Sequence, residues 1–217
     1  MAARACRHAP TFRRHPMPFP IDESTRDTIR HHFRKKQLVW DESYFVNVLQ
    51  STSDRFDVYW SVIALRDCGT KACVPALTDK LQFPMQDVKC GAMLTIAHVA
   101  GNDETPLYAD ALIGTSFRDK GYAMWAIRVA ADARAVDAVL AYFKKNRAKL
   151  KQGKLANDTL ADGLEYLDQY RTSNPDVAAF FDEVDGVWPN LPEADRRDIS
   201  KRLPYFAGRP SGGDALS

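Results

Sequence analysis

The chain has 217 residues, 45% of them hydrophobic, and a formal net charge of +2, enough apolar material for one domain or one short array of repeats. Its apolar runs are far shorter than the roughly 18 residues of a membrane span. Its four cysteines (Cys6, Cys68, Cys73 and Cys90) are too few for a disulfide framework in a chain of this length, so a reducing, cytoplasmic setting is expected. Residues 1–36 hold nine Lys/Arg against three acids, whereas residues 37–217 hold 21 against 25, which excludes a body built as a basic phosphate-binding surface.

Residues 1–20 lack the apolar core of a secretory signal. They are Arg-rich and acid-free, but Pro16, Pro18 and Pro20 oppose an amphipathic presequence helix, and Met17 offers a later start. The segment is expected to be disordered on any of these readings. The charge order from Asp22 and Glu23 to Arg34, Lys35 and Lys36 suits a helix over about 22–36. His31 and His32 diverge by about 100° on it and read as part of a solvated basic helix end rather than as metal ligands.

Asp41 caps a helix over 42–51, with apolar positions at Tyr44, Phe45, Val48 and Leu49. A helix over 55–67 stops at Gly69, a residue suited to a left-handed C-terminal cap. Further pairs follow at 72–82 with 86–100 and at 104–113 with 117–131, then a helix over 133–149. Lys144 to Lys154 reads as a fraying end and loop. Helices over 156–171, 175–186 and 192–203 complete the chain, the middle one opened by Asn174-Pro175. The Gly/Ser/Pro-rich end is expected to be disordered. The domain reading is therefore 1–20, a helical body over 21–206, and a tail over 207–217. No stretch alternates with period two long enough to be a strand.

The helical segments repeat. Ala92-Met93-Leu94-Thr95-Ile96 is matched 31 residues later by Ala123-Met124-Trp125-Ala126-Ile127, Pro75 by Pro106, and Leu81 by Leu112 and then Phe143. A fixed period of this length, with two helices per unit, marks a helical-repeat array. Pro75-Ala76-Leu77-Thr78-Asp79-Lys80-Leu81, then Asp87-Val88-Lys89, Ala92 to Ala97 and Gly101, resembles a HEAT repeat. The copy at 106–131 departs from the pattern, with Lys120 where Val is expected and Asp132 in place of the closing glycine. The resemblance is best over 40–150. It implies an all-α, right-handed α-α superhelix of about four to five helix pairs, with the second helices lining the concave face. An irregular helical bundle is the alternative.

Catalytic motifs are lacking: there is no G-x-S-x-G, P-loop, G-x-G-x-x-G or H-E-x-x-H. The iron-dependent hydroxylases built from HEAT repeats carry His-Glu pairs, and no His-Glu dipeptide occurs here. No metal or cofactor is expected. On the helix of 86–100, Asp87, Gly91, Thr95 and His98 share one face. Arg66 and Arg128 stand about one repeat before and after His98. A binding groove with Arg66, His98 and Arg128 near one end, and Asp57, Lys89 and Asp119 nearer the other, is the sharpest site hypothesis. Each of these residues also fits a merely solvated helix face. Residues 158–198 hold 11 acids against three arginines, so Asp162 and Glu165 join the candidates as parts of an acidic surface able to steer a basic partner.

The favoured function is a non-catalytic, protein-binding array, in concrete form a bacterial immunity protein that blocks a cognate toxin, often a nuclease. A DNA-alkylation glycosylase, for which Trp60 and Trp125 would supply aromatics and Asp57 or Asp119 the acid, is the alternative. Such enzymes hold DNA on a basic surface, which this acidic body opposes. A scaffold or regulatory subunit is the third reading.

Overall fold

The computed structural model describes residues 21–209, and every regular element among them is helical. The expectations for residues 1–20 and 210–217 lie outside the described residues. The helices are α1 (Glu23–Phe33), α2 (Glu42–Ser51), α3 (Arg55–Cys68), α4 (Val74–Lys80), α5 (Gln86–Ala100), α6 (Thr105–Ile113), α7 (Lys120–Ala130), α8 (Val136–Lys145), α9 (Arg147–Lys151), α10 (Asn157–Asp168), α11 (Pro175–Val187) and α12 (Glu193–Arg202).

Local chemistry sets their starts. Asp22 accepts from the Thr25 amide, Asp41 from that of Tyr44, Asp54 from those of Phe56 and Asp57, and Asn174 from those of Asp176 and Val177. Each cap satisfies amides that the first helical turn leaves unpaired.

α2 packs on α3, α4 on α5 and α6 on α7, and α1 closes onto α3. α3 also lies against α5, α5 against α7, α7 against α10, and α10 against α12, while α2 neighbours α4 and α6 neighbours α8. The expected pairing of consecutive helices is therefore present.

The junctions between pairs repeat as well. One-turn 3-10 segments, Lys71–Cys73, Gly101–Glu104 and Ala133–Ala135, precede α4, α6 and α8. Buried tyrosines tie two of them down: Tyr108 donates its hydroxyl to the Gly101 carbonyl at 2.9 Å, and Tyr166 to that of Asp132 at 2.6 Å. Thr105 Oγ accepts from the Asp132 amide at 3.2 Å and donates to the Asn102 carbonyl at 2.8 Å, linking one junction to the next.

Three local expectations are corrected. Gly69 ends α3 in an extended conformation (φ −79°, ψ 151°) rather than a left-handed one. Glycine serves close approach there, because a Cβ would fall 2.4 Å from the Leu65 carbonyl oxygen. The helix expected over 133–149 is divided: Asn146 turns its side-chain amide back onto the Tyr142 carbonyl at 2.9 Å. The basic run beyond it forms α9 rather than a frayed end, because burying Leu150 recompenses the turn. His32 is likewise not solvated, as described below.

The tightest helix approach is at Gly163 of α10. A Cβ there would meet Phe143 Cζ at 2.5 Å and Cε2 at 2.7 Å, and that ring is itself stacked on Phe180 with centroids 4.6 Å apart. Gly→Ala in a helix ordinarily stabilises by about 0.5–1 kcal/mol. Here the clash reverses the sign, and Gly163→Ala is expected to destabilise by about 1–3 kcal/mol, read as a lowered urea midpoint at unchanged slope.

Candidate functional site

Nine of the ten candidate residues lie on α3, α5, α7 and α10, and the tenth, Asp119, immediately precedes α7. They fall into three groups with different surroundings.

The first group is Asp57, in the first turn of α3 and buried. His32 Nε2 lies 2.8 Å from its Oδ1, and Lys36 Nζ bonds its Oδ2. The carboxylate therefore holds the end of α1 against α3. His32, with a side chain only 25% exposed, is an inward-facing partner of Asp57. The adjacent His31 is the exposed one of the pair. Expected at one end of a binding groove, Asp57 is instead engaged within the chain, by partners 21 and 25 residues away.

The second group centres on Arg66. Its Nε donates to Thr95 Oγ at 3.1 Å, and that hydroxyl lies 3.0 Å from the Val62 carbonyl and 2.9 Å from that of Gly91. Gly91 lies beside the guanidinium, and a Cβ there would press on Val62 of α3 at 3.2 Å while only touching Arg66 Nη2 at 3.9 Å. Arg66 is thus laid down along α5 rather than held at one helix end, as expected of a side chain tilted toward the helix N-terminus.

Tyr59, Tyr122 and His98 lie close enough to Arg66 to interact electrostatically with it. Among the described residues Arg66 has no carboxylate partner, and desolvation pushes its guanidinium below the ordinary arginine value. His98 is pushed below the ordinary histidine value of 6.5, first by burial and then by the Arg66 charge. Arg66, Thr95 and His98 are therefore brought together, whereas Arg128, expected at the same end of the groove, is elsewhere. Tyr59 and Tyr122 complete the group and were missed, since aromatic residues at helical spacing read as core.

At the opposite ends of α5 and α7 the candidates are looser. Asp87 is exposed in the first turn of α5, Lys89 is half-buried, and Asp119 at the start of α7 lies 3.8 Å from the buried Cys90 thiol. Burial and the Asp119 charge push that thiol up to about 12, so at neutral pH it is no nucleophile.

The third group is an ion network. Arg128 does not join Arg66 and His98. Its Nε lies 2.9 Å from Asp162 Oδ1, close enough for an ion pair but off the angle of a hydrogen bond, and its Nη1 bonds Glu165 at 3.3 Å. Arg202 of α12 reaches the same Asp162 oxygen at 2.9 Å and also pairs with Asp198 at 3.2 Å. Asp162 is buried. Desolvation raises its carboxyl above the usual aspartate value, against the pull of Arg128 and Arg202. Asp162 and Glu165 thus tie α7, α10 and α12 together. No sequence spacing announced Arg202, which stands 40 residues from Asp162.

Among the described residues no His, Cys, Asp and Glu side chains cluster as a metal site, and no helix is long and apolar enough to cross a membrane. No family model matches the chain, and neither the curated proteins nor the solved structures include a significant match.

Two measurements follow. The His98 ring, followed by NMR, is expected to titrate with a midpoint below 6.5, and Arg66→Gln is expected to raise that midpoint. Because the folded value is depressed, the unfolded chain binds the extra proton first. His98 therefore withdraws stability as pH falls through 6.5 toward the folded midpoint. In the ion network, Asp162→Ala leaves two arginines facing a half-buried gap and is expected to cost about 3–5 kcal/mol. Glu165→Ala, at a more exposed position, is expected to cost about 1 kcal/mol or less. Chemical denaturation distinguishes the two.

Proposed function

We propose that this chain is a non-catalytic, protein-binding helical array, a right-handed superhelix of HEAT-like pairs whose second-helix face receives the partner. The observation that carries this reading is Arg66, a half-buried arginine with no carboxylate among the described residues, set close to Tyr59 and Tyr122. Phe56 lies on the same stripe of α3 as Tyr59 and Arg66 and is 46% exposed, and Tyr122 is 40% exposed. Half-buried Trp125 follows Tyr122 on α7 at helical spacing. Tyr, Trp and Arg dominate the residues that carry binding energy at protein interfaces, where an aromatic surround excludes water from the charge.

The concrete form of the proposal is a bacterial immunity protein that covers a toxin. Steering of a basic toxin would fall to Asp158, Asp176, Asp182 and Asp195, which have no ion pair among the described residues. Most other acids of 158–198 are engaged within the chain, as Glu183 is by Arg147, Asp185 by Arg209 and Asp168 by Arg171. This shifts the weight of the proposal from the acidic surface to the Arg66 face. A nucleic-acid groove is less favoured, because Arg128 and Arg202 are taken up by carboxylates.

The test is co-expression with the product of a neighbouring toxin-like gene, followed by affinity measurement. Binding with protection of cells is expected. Arg66→Ala and Tyr122→Ala are each expected to weaken binding by about tenfold or more while leaving the melting temperature nearly unchanged. Tight binding undiminished by either substitution would place the interface elsewhere, and a chain that protects against no neighbouring toxin would sink the immunity form.

A further inference from the structure

Arg66 and Arg128 occupy equivalent places. Each stands in the last turn of its helix, α3 or α7, and reaches onto a helix packed beside it, α5 or α10. Arg128 Nε lies 2.9 Å from Asp162 Oδ1, and its Nη1 bonds Glu165, three residues further along α10, at 3.3 Å. Arg66 Nε bonds Thr95 Oγ at 3.1 Å, and its charge acts on His98, three residues further along α5. The same three-residue step thus carries two carboxylates beside Arg128, and a neutral hydroxyl with a basic ring beside Arg66. The chain neutralises one arginine itself and leaves the other without an acid among the described residues.

Arg66 is also open to an incoming group. A guanidinium carries five N–H donors in a fork that fits the two oxygens of a carboxylate. Only the Nε donor is spent, on Thr95. The two Nη atoms have no hydrogen-bond partner among the described residues, and neither is sealed from the surface. The same holds for the His98 ring nitrogens and the Tyr59 hydroxyl. Burial has already stripped part of the water from the Arg66 charge. Such a charge loses little more when a counter-charge docks, and gains more from it than an exposed charge does. Asp87 and Asp119 act on the neighbouring Tyr122 phenol but not on Arg66, so neither competes for the place.

We propose that Arg66 receives a carboxylate side chain, an aspartate or glutamate, presented by the protein partner and gripped by the two Nη atoms with the His98 ring beside it. This rests on the partner seat proposed above and adds the chemistry of the contact. A partner that is basic overall still presents single carboxylates, and the match is local. Among the described residues Arg66 is the one charge that acts on the His98 ring, which is depressed below 6.5 and so mostly uncharged at neutral pH. One carboxylate therefore balances the one full charge of the site. A phosphate ester, with close to two charges, would leave one uncompensated.

The test titrates the whole chain at neutral pH and constant ionic strength with a blocked Ala-Asp-Ala tripeptide. Asparagine and phosphoserine counterparts serve as controls, and the readouts are the His98 ring and Arg66 Nε–H resonances. A saturable shift of both is expected with the aspartyl peptide. The His98 midpoint should rise at saturation, because a bound carboxylate favours the charged ring. Affinity should be about tenfold or more weaker for the asparaginyl peptide and in Arg66→Gln. His98→Glu is expected to close the site from within, as Glu165 does at Arg128. It should shift the Arg66 Nε–H resonance without peptide, weaken the aspartyl peptide about tenfold, and melt no lower than His98→Gln. The proposal is overturned by the absence of a saturable shift, by equal binding of the asparaginyl peptide, by a phosphoserine peptide bound about tenfold more tightly, or by a His98→Glu chain that melts below His98→Gln. The peptide stands in for the partner, so none of these outcomes decides whether a protein partner exists. If co-expression finds none while the peptide binds as expected, the protein-binding proposal fails and the carboxylate site stands.

Discussion

The helices of this protein are too short to stand alone. Those from α2 to α7 run from seven to fifteen residues, and isolated helices under about 12–15 residues are marginal in water. Each must therefore bury its apolar face against neighbours, and those in the middle must do so on more than one side. In α5 this has gone furthest: Val88, Cys90, Gly91, Ala92, Met93, Thr95, Ile96, Ala97 and Ala100 are all buried, because α3, α4 and α7 press on it from different directions. The small residues among them let the backbones approach, and the larger ones fill the space between layers. Stability is consequently spread along the chain through nearest-neighbour contacts.

That packing brings polar groups inside, and the way they are satisfied gives the molecule its individual character. Thr95 sits between α3 and α5 with its hydroxyl against two carbonyl oxygens, and so becomes the acceptor that holds Arg66. Tyr108 and Tyr166 reach from within a helix pair to the carbonyls of the junctions. Asp57 and Asp162 are buried carboxylates, each shared by two basic side chains from elsewhere in the fold. Such shared charges add little net energy, but losing one partner is costly, so they specify which helices meet. Arg66 differs from these, a half-buried charge with no acid beside it among the described residues.

The net charge of a segment is a poor guide to the field a partner would meet. The acidic stretch over 158–198 consumes most of its carboxylates in ion pairs with arginines of α7, α9, α12 and the final turn. At physiological salt, fields decay over about 8 Å, so the local pairing rather than the segment sum decides what each surface attracts.

Element boundaries were legible in the residues themselves. Asp41, Asn174-Pro175 and the glycine after Ala100 mark helix ends through chemistry confined to a few neighbouring positions, and the expected limits of 42–51 and 86–100 match α2 and α5. The sequence placed Arg66 and Arg128 about one repeat either side of His98; Arg66 does meet His98 and Thr95, but Arg128 turns instead to Asp162 and Glu165. What only the tertiary structure decided are the partners drawn from outside that register: His32 and Lys36 on Asp57, Tyr122 beside Arg66, and Arg202 on Asp162. The reason is physical. A cap or a period depends on bonds and faces fixed by the local backbone, whereas a long side chain finds its partner across space, wherever burial leaves a charge or a donor unsatisfied.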